Sequence, residues 1–114
     1  MFNIDLFPQA LKSDENGQTR SCLLKKTTMG ESVTEQELWF LYPINLPMPE
    51  DDDCDSYLLA TLLPAMQLRA AIRVHGSVSH ELLANLTELQ YVWNKWLPER
   101  YFVIDIQVDR IRDQ

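Results

Sequence analysis

Residues 80–97 (HELLANLTELQYVWNKWL) constrain the fold most. Apolar side chains recur there at Leu82/Leu83, Leu86, Leu89, Val92/Trp93 and Trp96/Leu97. Steps of three and four trace one stripe of an α-helix, so the segment predicts a helix with one side to bury. Ser79 stands at the N-cap position, and Glu81 and Lys95 carry the signs that suit the two ends of the helix dipole. Pro98 stops the helix. The flanks read as strands. Residues 70–75 (AAIRVH) put Ile72 and Val74 on one face and are closed by Gly76. Residues 101–108 (YFVIDIQV) put Phe102, Ile104, Ile106 and Val108 on one face, with Asp105 and Gln107 opposite. Strand, helix and strand with short connections predict a βαβ unit with parallel strands and a right-handed crossover. Burying Leu89, Trp93 and Trp96 on the sheet face that carries Phe102 and Ile104 should contribute about 2–3 kcal/mol each.

The first half reads as β-rich. Residues 11–17 are polar and turn-like. Residues 20–29 (RSCLLKKTTM) and 37–44 (ELWFLYPI) predict two strands joined at Gly30-Glu31-Ser32, an antiparallel hairpin. Both faces are apolar near Trp39–Tyr42, which predicts burial on both sides. Pro43 lacks an N–H and must end the ladder or lie at an edge. Residues 45–55 (NLPMPEDDDCD) form a loop, with Asp55 or Ser56 as the next helix cap. Residues 56–68 (SYLLATLLPAMQL) are apolar on almost every side and predict a buried helix, broken near Ala60–Pro64 by the proline. The expected architecture is α/β or α+β: an N-terminal β-hairpin, a buried kinked helix, then the right-handed βαβ unit, as a two-layer sandwich. It forms a single domain over 1–114, with about seventeen irregular residues at the N-terminus.

Composition narrows the function. Only Gly17, Gly30 and Gly76 are glycines, so no Gly-rich phosphate loop can be written. The net charge is −7 and the isoelectric point near 4.6, which argues against a nucleic-acid partner. Eight of the seventeen acids fall in residues 31–55, where there is no base. The most apolar run, Tyr57–Met66, has ten residues against the roughly 20 of a bilayer span. The N-terminus has no basic start and no long apolar run. No membrane association is expected, and the chain reads as cytoplasmic. Cys22 and Cys54, far apart in sequence, form neither a CxxC pair nor a zinc spacing and are expected to be free thiols.

Several clusters deserve a chemical reading. Asp51–Asp53 with Asp55 lack the turn glycine and late glutamate of a calcium loop, and read as a solvated loop that caps a helix. His75 and His80 flank HGSVSH and suggest a metal pair with Cys54 or an aspartate, but a spacing of five across a loop is unspecific. Ser77 or Ser79 beside a histidine lacks the third member of a nucleophilic triad, and Ser79 is explained as a cap. Trp39, Phe40, Tyr42, Trp93, Trp96 and Tyr101 form an aromatic set that reads as core packing rather than a ligand cage. Arg69 and Arg73 are expected on the exposed side of a short strand. His75, Ser77, His80, Trp39 and Tyr42 are retained as candidate ligand or interface residues. No catalytic residue, cofactor or metal is assigned.

The C-terminal half also carries a resemblance. Leu62-Leu63-Pro64-Ala65-Met66, Val74-His75-Gly76-Ser77-Val78-Ser79, Leu82-Leu83-Ala84-Asn85-Leu86 and Trp96-Leu97-Pro98-Glu99-Arg100 cover about half the chain. Together they resemble the N-terminal region of a bacterial family. In that family the region precedes a PP-loop ATP-pyrophosphatase domain related to asparagine synthetase. Its members occur in surface-polysaccharide and natural-product gene neighbourhoods. The SGGVDS-type loop on which the family's activity rests is absent from the 114 residues, so no catalytic residue carries over. The resemblance implies an accessory front domain, cut from a longer protein or encoded alone.

Three functions follow. The first is a non-catalytic accessory or interaction domain for a nucleotide-using enzyme domain, in cis or in trans, or a homodimer. The second is a small-molecule binder or small enzyme with its pocket near His75–Ser79 and Val108–Arg110. The third is a stand-alone acidic interaction module resting on residues 31–55.

Overall fold

The computed structural model describes residues 2–28 and 31–113, and the side chains of 31–33 are not among those described. The expected turn at Gly30-Glu31-Ser32 therefore falls partly outside the described residues. Eight elements follow in order: β1 (Phe2–Pro8), β2 (Lys12–Asp14), β3 (Gly17–Thr28), β4 (Glu31–Tyr42), α1 (Asp55–Leu68), β5 (Ala71–Ser79), α2 (His80–Trp96) and β6 (Ile106–Arg112). All six strands join one mixed sheet of order β4-β3-β1-β5-β6, with β2 continuing the β1 side of β3. The fold is α+β.

The N-terminus departs most from expectation. Rather than irregular chain, residues 2–8 are a central strand, antiparallel to β3 and parallel to β5. Its sequence alternates, with Phe2, Ile4 and Leu6 on one face and Asn3 and Asp5 on the other, which is the period of a half-buried strand. Ile4 and Leu6 are buried. Gly17, at φ +148°, opens β3, where a Cβ would meet the Tyr42 carbonyl at 2.6 Å.

The predicted hairpin is present as β3 and β4, antiparallel from Gln18–Tyr42 to Thr28–Glu31 with a register shift between Lys26 and Thr27. Both strands begin earlier than expected, because Thr, Gln and Glu satisfy a ladder whose outer face is wet. The expectation that Trp39–Tyr42 is buried on both sides is corrected. β4 pairs only with β3 among the described residues, and Trp39 and Leu41 are each 57% exposed.

The steps from β4 to β5 and from β5 to β6 run the same way across the sheet. Both helices pack on one face, as the right-handed rule for such crossovers expects. There Leu58, Leu62, Met66 and Leu86 join Ile4, Leu6, Cys22, Ile72 and Val74 in one core. The result is a two-layer sandwich with one sheet face uncovered.

α1 is less wrapped and less broken than expected. Leu59 is 56% exposed, and Pro64 lies on the same solvent side inside an uninterrupted helix. A proline there loses one backbone bond, to a carbonyl that water can reach. The N-cap is Cys54, without a side-chain cap bond; Asp53 Oδ1 instead accepts from the Asp55 N–H at 3.0 Å. The helix ends at Arg69 in the left-handed region, with its guanidinium 3.7 Å above the Phe102 ring.

β5 does not close at Gly76 but runs on to Ser79, and its ladder with β6 shifts between Val74 and Ser77. α2 begins as predicted: Ser79 Oγ accepts from the Leu82 N–H at 3.2 Å. Only Leu86 and Gln90 of this helix are buried, and Trp96 is 73% exposed, so the stability assigned to burying Trp96 is withdrawn. Gln90 earns its burial by accepting from the Ile104 N–H at 2.8 Å. β6 is parallel to β5 as predicted, but spans 106–112 rather than 101–108. Residues 101–105 are held by other bonds instead: the Phe102 N–H reaches the Met66 carbonyl, and Asn94 Nδ2 the Tyr101 carbonyl.

Candidate functional site

In sheets with parallel strands, ligands usually enter beyond the carboxyl ends of those strands. Here that crevice is filled by the chain's own acidic loop. The Ser77 N–H donates to the Asp52 carbonyl, and the Cys54 N–H to the Ser77 carbonyl, both at 2.8 Å. Gly76 makes the approach possible, since a Cβ there would stand 2.5 Å from the Asp52 carbonyl oxygen and 2.9 Å from Cys54 Sγ. Ser77 is fully buried beneath this loop. That burial removes it as an accessible nucleophile.

Three arginines hold the loop. Arg20, buried, donates to the Asp53 carbonyl at 2.6 Å and lies 5.3 Å from the centre of the Tyr57 ring. Arg112 bridges Asp53 at 3.1 Å and Asp55 at 2.8 Å, and Arg110 bridges Glu50 at 3.3 Å and Asp52 at 3.0 Å. Asp55 Oδ1 also accepts from the Ser79 N–H at 2.8 Å, tying the start of α1 to the start of α2. The expected solvated acid run is thus an arginine-clamped strap. Sequence patterning gave no sign of Arg20, Arg110 and Arg112, because their partners, the Glu50 and Asp53 backbone carbonyls for Arg20 and carboxylates for the other two, lie 30 or more positions away. Cys54, expected in an exposed loop, is wholly buried, as is Cys22, and both thiols are free. Desolvation pushes each thiol up to about 12.

The two histidines separate. His80 is exposed in the first turn of α2. His75 lies on the uncovered sheet face, where Nε2 meets Asp5 Oδ1 at 2.7 Å and the ring stacks on Phe7 with centroids 4.2 Å apart. Among the described residues no group of His, Cys, Asp or Glu is arranged to hold a metal ion. Across this face the register aligns Glu35, Lys25, Asp5, Arg73 and Gln107 in one row. Lys25 pairs with Glu35 at 3.5 Å, and Arg73 donates to Gln107 at 3.1 Å. Alternating charge at cross-strand spacing makes this face stable against water. The shallow hollow beside the row, about 290 Å³, is lined by Asn3, Asp5, Thr27, Arg73, Asp105 and Gln107.

The aromatic set divides into two groups. Phe40 packs on Tyr57 (5.9 Å) and Tyr42 (6.4 Å), and Trp93 packs on Tyr101 (5.1 Å) and Trp96 (6.2 Å). Neither group forms a cage. The exposed apolar side chains include two groups. Trp39, Leu41, Ile44 and Leu46 are exposed along the end of β4 and the residues after it, and Tyr91, Val92 and Trp96 along α2. Of the five candidate residues, Trp39 alone belongs to such a surface; Tyr42 is half-buried on the helix side.

Comparison with family models, with characterised proteins and with solved structures finds no match to this chain. Among the described residues no helix is long and apolar enough to cross a membrane.

Proposed function

We propose that the protein is a non-catalytic interaction domain that serves a nucleotide-using enzyme domain, in cis or in trans, in the bacterial cytoplasm. One observation carries the reading: large apolar side chains stand in solvent on β4 and α2, while the crevice where an α/β enzyme would hold its ligand is filled by residues 50–54. Exposed apolar surface of this kind marks a place for another protein. The choice of a nucleotide-using partner rests on the resemblance of residues 62–100. The cytoplasmic location is supported by two unpaired thiols, which persist in a reducing compartment.

The test is fluorescence of 1-anilinonaphthalene-8-sulfonate with the native protein. Enhancement that falls when Trp96→Lys removes the α2 surface supports the reading. A monodisperse monomer that gives no enhancement overturns it. Stoichiometric zinc in the purified protein, or a ligand shift abolished by His75→Ala, would favour the small-molecule reading instead.

A further inference from the structure

We propose that the free edge of β4 is a homodimer interface, in which Leu38–Tyr42 pairs antiparallel with the same stretch of a second copy about a two-fold axis at Phe40. The inference deepens the interaction-domain reading and rests on it.

The Gln9 N–H donates to the Ser21 carbonyl at 3.0 Å, so Ser21 turns its polar groups toward the β1 side of β3. Its neighbours Arg20 and Cys22 turn theirs toward β4, where Phe40 and Leu38 are their partners. In an antiparallel ladder this direction alternates along the strand. Glu37, Trp39 and Leu41 therefore aim their N–H and C=O groups at the open edge. The next outward position is Pro43, which has no N–H to offer.

With Phe40 opposite Phe40 of a second copy, Trp39 comes opposite Leu41 of that copy, and Leu41 opposite its Trp39. Both residues point their backbone outward, so each pair closes a two-bond ring. Their side chains lie on the same sheet face, each more than half exposed in the single chain. Sliding the axis to Leu38 would set Glu37 against Trp39, and sliding it to Gln36 would set Glu35 against Glu37. The first opposes carboxylate to indole and the second opposes like charges. The Phe40 register keeps both acids outside the ladder, and Pro43 ends it on the other side. An uncharged, apolar edge is otherwise a hazard that proteins blunt with charge or proline. Here those devices bracket the stretch 38–42 and leave it free. Trp39, Leu41 and Ile44 expose on the order of 300 Å² of apolar side chain per copy. Doubled and joined by the newly covered backbone, this approaches the roughly 1,000 Å² of a specific interface.

The test is sedimentation equilibrium of the whole chain over a wide concentration range, with the dye measurement in parallel. The expected result is a species of twice 13.3 kDa. Leu41→Pro, which removes an outward N–H and the Leu41 side chain but no β3–β4 bond, and Trp39→Lys should each weaken association by at least about thirtyfold while far-UV circular dichroism stays native. A dimer insensitive to both folded variants overturns the β4 interface and leaves the interaction-domain reading standing. So does a monomer that binds the dye. A monomer that binds no dye overturns both. Should Leu41→Pro fail to fold, Trp39→Lys decides.

Discussion

Replacing Gly76 by alanine tests whether the acidic strap is a structural part of the fold. The new Cβ would lie 2.5 Å from the Asp52 carbonyl oxygen, 2.9 Å from Cys54 Sγ and 3.0 Å from Pro8 Cγ. Ordinary contact begins near 3.4 Å, so the Asp52 carbonyl must retreat by almost an ångström. That retreat breaks its 2.8 Å bond from the Ser77 N–H and strains the 2.8 Å bond from the Cys54 N–H to the Ser77 carbonyl. One to two bonds at about 1 kcal/mol each, with overpacking of about 1–3 kcal/mol, oppose a gain of up to about 1 kcal/mol from a stiffer unfolded chain. The net loss is about 1–5 kcal/mol, centred near 3. At about 4 °C per kcal/mol for a domain of this size, Tm should fall by roughly 12 °C, and by at least about 4 °C. Calorimetry measures the fall, and hydrogen exchange at Ser77 and Cys54 locates it. A Tm within about 2 °C of the parent, with the Ser77 amide still protected, would refute the reasoning.

Other outcomes follow from the same contacts. Arg20→Met removes the bonds to the Asp53 and Glu50 carbonyls and the cation over Tyr57, and should cost about 2–4 kcal/mol. Limited proteolysis should then cut within residues 46–54 faster than it does in the parent. Ser79→Ala deletes the α2 cap and should cost about 1 kcal/mol in urea unfolding. The buried thiols of Cys22 and Cys54 stand at about 12, raised from 9.0 by desolvation. A raised folded pKa means their stability is complete below pH 9.0 and is lost as pH rises toward 12. Each thiol should add a slope of up to about 1.4 kcal/mol per pH unit. Cys22→Ala and Cys54→Ala should flatten that alkaline decline in unfolding titrations, and a slope unchanged in both would remove the assignment.

Local signals were legible where their cause was local. The α2 stripe, its Ser79 cap, the hairpin of β3 and β4, the parallel β5–β6 pair and the loop before Asp55 were all written in neighbouring residues. The β1 alternation of Phe2, Ile4 and Leu6 was equally plain, and was hidden only by the polar stretch after it. Non-local facts were not legible. Whether Trp39, Leu59 or Trp96 meets the core depends on where its strand or helix falls at the border of the sheet. Apolar patterning marks which residues can be buried, not which layer has a neighbour to bury them. The sequence alone determined the kind and order of most elements, because propensity, capping and periodicity act within a few residues. Only the tertiary structure decided that β1 lies at the centre of the sheet and that Arg20, Arg110 and Arg112 clamp the acids. Only it decided that, among the described residues, one sheet face and the outer edge of β4 stay open, because those contacts join residues tens of positions apart.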